Sequence, residues 1–109
     1  RLTMPTLEQL KAALASMPED PVLHFSLANA YRDAGQVEEA IRHYRLAATY
    51  QPDYSAAWFE LARVAERHGR HDVAREAYQA AIAASGGRGD DHILHAARVR
   101  LSRLEHKGG

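Results

Sequence analysis

The chain repeats itself at a fixed offset of 34 residues. Leu27, Ala28, Gly35, Ala40, Tyr44 and Ala47 recur as Leu61, Ala62, Gly69, Ala74, Tyr78 and Ala81. A period of this length marks supersecondary units that must stack, because one unit alone cannot bury its apolar face. Each unit then touches mainly its neighbours, and the product is an extended surface rather than an enclosed cavity. Such a surface suits holding a partner better than doing chemistry.

Helix signals fill the period. Residues 6–17 read as a first helix: Thr6 and Gln9 form a capping box, and Leu7, Leu10 and Leu14 make an apolar stripe. Pro18 ends it. Asp20 caps a second helix with Pro21 at its first position, where the missing N–H costs nothing, and Gly35 stops it. A third helix opens on Gln36, Val37, Glu38 and Glu39, whose carboxylates suit the helix dipole, and runs to Tyr50 before Pro52. The pattern restarts over 55–68, stops at Gly69, and continues over 71–85 to Gly86. The stretch Gly86-Gly87-Arg88-Gly89-Asp90-Asp91 reads as the loosest joint. A last helix over 91–106 carries Ile93, Leu94, Ala97, Leu101 and Leu104 on one face and Arg98, Arg100, Arg103 and Lys107 on the other.

The spacing resembles the tetratricopeptide repeat, a pair of antiparallel helices. In residues 21–54, Leu27, Ala28, Tyr31, Gly35, Ala40, Tyr44, Ala47 and Pro52 fall on the family's large, small and turn positions. In residues 55–88, Trp58, Leu61, Ala62, Gly69, Ala74, Tyr78 and Ala81 do the same. Small residues at Ala28, Ala40, Ala62 and Ala74 let paired helices approach, while Tyr44, Trp58 and Tyr78 fill the space between pairs. Residues 6–18 resemble the second helix of a preceding unit, since Leu10, Ala13 and Pro18 lie 34 residues before Tyr44, Ala47 and Pro52. Residues 91–106 resemble the first helix of a following one. Arg103 replaces the turn glycine, so that helix is expected to run on as a solvated cap. The resemblance implies one all-α domain over 1–109, a right-handed superhelical array of antiparallel helix pairs with about six helices. His24 stands where Trp58 stands in the next unit, Ala65 stands opposite Tyr31, Gly86 opposite Pro52, and His95 stands at a usual leucine.

By the same resemblance, the first helix of each unit lines a concave face. Its free stripe reads Val22, Phe25, Asn29, Arg32 and Asp33, then Ala56, Phe59, Arg63, Glu66 and Arg67, then Asp90, Ile93, Ala97 and Arg100. Phe25, Phe59 and Ile93 form an apolar row beside donors, which suits an extended or helical peptide. The expected groove is Val22, Phe25, Asn29, Arg32, Phe59, Arg63, Glu66, Arg67 and Ile93. The bland alternative is that both phenylalanines are core, and self-association would use the same row. Asn29 matches one position of the family's carboxylate-gripping form, but Phe25 and Glu60 replace its basic and amide residues. Arg63 and Arg67 remain able to pair with an acidic ligand.

Lys plus Arg equals Asp plus Glu at 14 each, so no global charge draws the chain to nucleic acid or membrane. The basic side of the last helix lacks interleaved aromatics and reads as a solvated face, with binding of an anionic ligand or nucleic acid there as the further alternative. No apolar stretch approaches the ~20 residues of a membrane span. With no cysteine, disulfides, thiol catalysis and cysteine-ligated zinc are excluded, which fits the cytosol. The opening Arg1-Leu2-Thr3-Met4 fits a segment of a longer protein or a start at Met4. His92 and His95 share a helix face but lack accompanying carboxylates. His24 and His92 read as packing residues, so no metal or other cofactor is expected. Arg88-Gly89-Asp90 is too short to carry an adhesion reading. The glycine stretch lacks the residues of a phosphate loop. No nucleophile or acid–base set appears, so the chain is not expected to be an enzyme.

Overall fold

A computed structural model describes residues 3–86 and 89–108, and the side chains of all but Lys107 and Gly108 among these. Six helices follow one another: α1 Leu7–Ser16, α2 Pro21–Asp33, α3 Val37–Tyr50, α4 Ser55–Arg67, α5 His71–Ser85 and α6 Asp91–Gly108. α2 pairs with α3 and α4 with α5, while α1 leans on α2 and α6 closes the stack against α5, touching α4. Arg103 lies inside α6 as expected, and that helix runs two residues past the predicted end. Of the loosest joint, Gly87 and Arg88 lie outside the described residues, and with Arg88 the first residue of the Arg88-Gly89-Asp90 tripeptide.

The caps explain the boundaries. Thr6 Oγ1 accepts from the Gln9 amide at 3.1 Å while the Thr6 amide donates to Gln9 Oε1 at 2.9 Å. Asp20 Oδ1 accepts from the amides of Val22 and Leu23 at 2.8 and 3.1 Å. α2 and α4 end identically. Gly35 and Gly69 adopt φ of 77° and 76°, a left-handed backbone that strains any residue with a Cβ. Each glycine amide donates to the carbonyl three residues back, Arg32 or Glu66. The next amide, of Gln36 or Arg70, donates to Tyr31 or Ala65. This pair of bonds satisfies carbonyls that the helix end orphans.

Small residues set the inter-helix distance. Ala28, Ala40, Ala62 and Ala74 have no exposed surface, nor do Tyr44 and Tyr78, which fill the spaces between. Trp58 is only partly buried, a difference from its expected filling role, because its indole reaches back along the surface and donates from Nε1 to the Pro52 carbonyl at 3.0 Å. His24 makes the equivalent bond in the preceding unit, from Nε2 to the Pro18 carbonyl at 2.8 Å.

The units differ behind that bond. In the first, four rings stack in the order Tyr31, His43, His24, Tyr50, with centroid spacings of 5.5, 5.2 and 5.5 Å. In the second, the corresponding residues are Ala65, Ala77, Trp58 and Ala84. His24 and His43 are buried and share a 2.9 Å contact between their Nδ1 atoms. His92, expected to pack like His24, is exposed on α6, and no other helix among the described residues covers it.

Candidate functional site

The leading helices α2, α4 and α6 carry the predicted groove residues. Val22, in the first turn of α2, is 57% exposed. Phe25 and Phe59 are half-buried: Phe25 lies against Tyr44 and Tyr54 at 5.7 and 5.1 Å, and Phe59 against Tyr78 at 5.9 Å. Ile93 packs on the core cluster from α6. The expected apolar row is therefore the floor of the face rather than a free ridge. Asp90 at the entry of α6 accepts from Ser55 Oγ at 2.7 Å, which fixes α6 against α4.

Above the floor lies a polar network that reaches across helices. Tyr44 Oη donates to Asn29 Oδ1 and accepts from Arg32 Nη1 at 3.1 Å. Arg32 also reaches Glu60 Oε1 on α4 at 3.4 Å and Asp33 Oδ1 at 3.1 Å. Burial pulls the Arg32 guanidinium down, but Tyr44, Asp33 and Glu60 together hold it above its ordinary value. Glu60 accepts from Arg63 as well, at 3.2 and 3.3 Å. One carboxylate thus ties two guanidiniums from successive units.

The next unit repeats the tyrosine motif with changed partners. Tyr78 Oη donates to Glu66 Oε1 at 2.6 Å, and the Arg100 guanidinium approaches the same hydroxyl. Burial, then the Glu66 carboxylate, push the Tyr78 phenol upward; burial does the same to Tyr44. Both hydroxyls therefore stay protonated as fixed donors. Phe59 sits between two cations, with the Arg63 and Arg100 guanidinium carbons each 5.9 Å from its ring centre. Arg100, placed by sequence on both the concave stripe and the outer basic side, lies over Phe59 on the same face as Arg63 and Arg67.

Two open cavities follow from this relief. One, about 260 Å³, is lined by Arg32, Glu60, Arg63, Val64 and Arg67. The other, about 390 Å³, is lined by Arg63, Glu66, Arg67, His71, Arg100 and Leu104. The structure thus brings Arg32, Arg63, Glu66 and Arg67 around one surface, whereas Val22 and Ile93 line neither cavity. Asn29 faces a separate pocket of about 220 Å³ with Met4, Pro5, Leu10, Ser26, Ala30 and Asp33. Sequence reasoning missed the roles of Glu60 and of the Tyr44 and Tyr78 hydroxyls. The three-residue spacing of Glu60 and Arg63 was the available signal. Among the described residues no group of three or more His, Asp or Glu side chains could hold a metal ion, and no helix is long and apolar enough to cross a membrane.

Comparison with known proteins agrees with this architecture. The tetratricopeptide repeat model matches residues 7–49 and again 25–88. A TPR repeat-containing protein of Pseudomonas aeruginosa is 30% identical over 99 residues, spanning 91% of this chain and 94% of its own. The solution structure of a Bordetella parapertussis protein matches with TM-score 0.75 at 31% identity, over 96% of this chain and 91% of that one. PcrH, solved in complex with the chaperone binding region of PopD, matches with TM-score 0.89 at 16% identity, over 94% and 78%. With its period, its paired helices and its glycine turns, this chain belongs to the tetratricopeptide repeat family.

Proposed function

We propose that this protein is an interaction module that holds a peptide segment of a partner in its concave groove. The groove is Val22, Phe25, Asn29, Arg32, Phe59, Arg63, Glu66, Arg67 and Ile93. The observation that carries this reading is the pair of adjoining open cavities that meet at Arg63 and Arg67. Their polar walls are already held by Glu60, Tyr44 and Tyr78, and donors ordered before binding lower the cost of recognition. The half-buried Phe25 and Phe59 give an apolar floor, and aromatic and arginine side chains are the types that concentrate binding energy. PcrH, which shares this fold, was solved holding a region of another protein, which supports the reading at the level of the fold.

Val22→Glu with Ala56→Glu tests it. Both positions lie in first turns, at equivalent places in α2 and α4, where a carboxylate suits the helix dipole and spares the fold. Peptides selected by display on the wild-type chain lose binding to this variant while far-UV circular dichroism is unchanged. Full retention of binding both by this variant and by Arg63→Glu, which alters the wall shared by the two cavities, overturns the groove assignment. Self-association through the same face predicts instead a dimer mass in light scattering that falls to a monomer in the variant.

A further inference from the structure

The arginines of this protein are not equally occupied. From Arg32 to Arg75 each one forms an ion pair, with one exception. Arg32 and Arg63 hold Glu60, Arg42 holds Glu39, Arg45 reaches Glu76, Arg70 holds Glu38 and Arg75 holds Asp72. Arg67 holds no carboxylate among the described residues. On α6, Arg98, Arg100 and Arg103 hold none either, and of these only Arg100 lies over Phe59 and faces the groove. The two guanidiniums of this face that hold no carboxylate among the described residues, Arg67 and the Tyr78-contacting Arg100, therefore line one cavity, that between α4 and α6.

That cavity is electrostatically incomplete. Its walls bring in Arg63, Arg67 and Arg100 against one carboxylate, Glu66, which is turned onto the Tyr78 hydroxyl. Arg100 is held against the Phe59 ring, which orients a guanidinium plane while leaving N–H groups for a ligand. A guanidinium fork matches a carboxylate bidentately, and two forks around one cavity match it better than an ammonium would. Arg63, the residue that sequence alone offered for this role, is already engaged by Glu60 at 3.2 Å.

We infer that the α4–α6 cavity, through Arg67 and Arg100, is a subsite for side-chain carboxylates, and that the segment held in the groove is acidic. This inference rests on the groove reading given above and names the partner's chemistry. The apolar floor of Phe59 beside the two arginines fits a segment in which aspartate or glutamate alternates with an apolar residue.

The test uses three sets of short peptides, acetylated and amidated so that only side chains carry charge. All share the same leucines, and their polar positions are all Asp, all Asn or all Lys. Fluorescence anisotropy measures affinity, and amide shifts in NMR spectra locate the bound peptide. The Asp set binds about tenfold tighter than the Asn set, as expected for a charge-assisted contact replacing a neutral one. Its affinity falls with added salt. Arg67→Glu with Arg100→Glu moves the preference to the Lys set. If the double variant loses helicity, Arg67→Glu alone carries the test, since Arg67 is exposed. Equal affinity of the Asp and Asn sets, with shifts in the groove, overturns this inference and leaves the groove reading intact. Shifts confined to the convex side overturn both. A single-stranded oligonucleotide that displaces the Asp peptides and binds more tightly than they do overturns the peptide assignment. Absence of binding by the Asp set at millimolar concentration overturns the inference.

Discussion

Acid should loosen the first repeat by a calculable amount. The Pro18 carbonyl can only accept, so His24 Nε2, 2.8 Å away, carries a proton. A neutral His24 then accepts at Nδ1, and His43 Nδ1, 2.9 Å away, donates to it. His43 Nε2 is left as an acceptor, and Arg42 Nη1 lies 3.3 Å from it. This proton order is inferred from the network. A further proton on His43 Nε2 would set two donors, that N–H and the Arg42 guanidinium, against each other. Burial first, then the nearby His24 and Arg42, lower His43 from 6.5 to about 4, against an opposing pull from Glu39. The sign follows directly. The unfolded chain binds the proton first, so the full contribution is present above about pH 6.5 and is lost as pH falls towards 4. A depression of that size is worth about 3 kcal/mol, a large part of a domain stability of about 5–15 kcal/mol. With a urea slope of about 1.5 kcal/mol/M, the midpoint falls by about 2 M between neutral pH and pH ~4. Carboxylates titrate in the same window, so the control is His24→Trp with His43→Ala, the pair that the second unit uses at these places. Its pH dependence should be smaller by about 3 kcal/mol. Equal slopes in variant and wild type, or a His43 NMR titration midpoint near 6.5, would refute the assignment.

Three further outcomes are expected. Gly35→Ala and Gly69→Ala each lower stability by about 1–2 kcal/mol in thermal melts, because the added Cβ meets nothing within 4 Å and only the left-handed backbone is strained; no loss at either site contradicts the account of the turns. Asp20→Ala removes the acceptor of two amides and costs about 1 kcal/mol by urea unfolding, whereas Asp20→Asn costs less. Ala62→Leu inserts a side chain where there is no exposed surface and destabilises by about 1–3 kcal/mol, an effect absent from the same change at exposed Ala83.

The fold was legible because its causes are local and recur. Gly35 and Gly69, the four interfacial alanines and the caps at Thr6 and Asp20 each act within a few residues of chain. The proposed groove was legible only as a register. Sequence placed Arg32, Arg63 and Arg67 on one face but could not say which of them is engaged. That depends on Glu60 reaching back to a helix 28 residues earlier. The tyrosine hydroxyls escaped notice because Tyr44 and Tyr78 read as pure core, though each projects its oxygen into the polar layer. The His24–His43 contact joins residues 19 apart on different helices, which local spacing does not reveal. His92 shows the opposite failure: it occupies a packing register, but among the described residues no side chain covers it, and it is exposed.

The ring-to-carbonyl bond made by His24 and by Trp58 works as a hinge pin between successive units. Each pin joins the leading helix of one unit to the tail of the unit before, at the same six-residue reach, with an ionisable ring in one case and an indole in the other. A proton added at His43 Nε2 meets the Arg42 guanidinium and leaves the Nε2–H of His24 on the Pro18 carbonyl, so the pin survives acid even as the packing around His43 loosens. The tie between successive helices and the acid sensitivity of the first unit thus rest on two different imidazoles, and a change of pH can soften the module without drawing the pin.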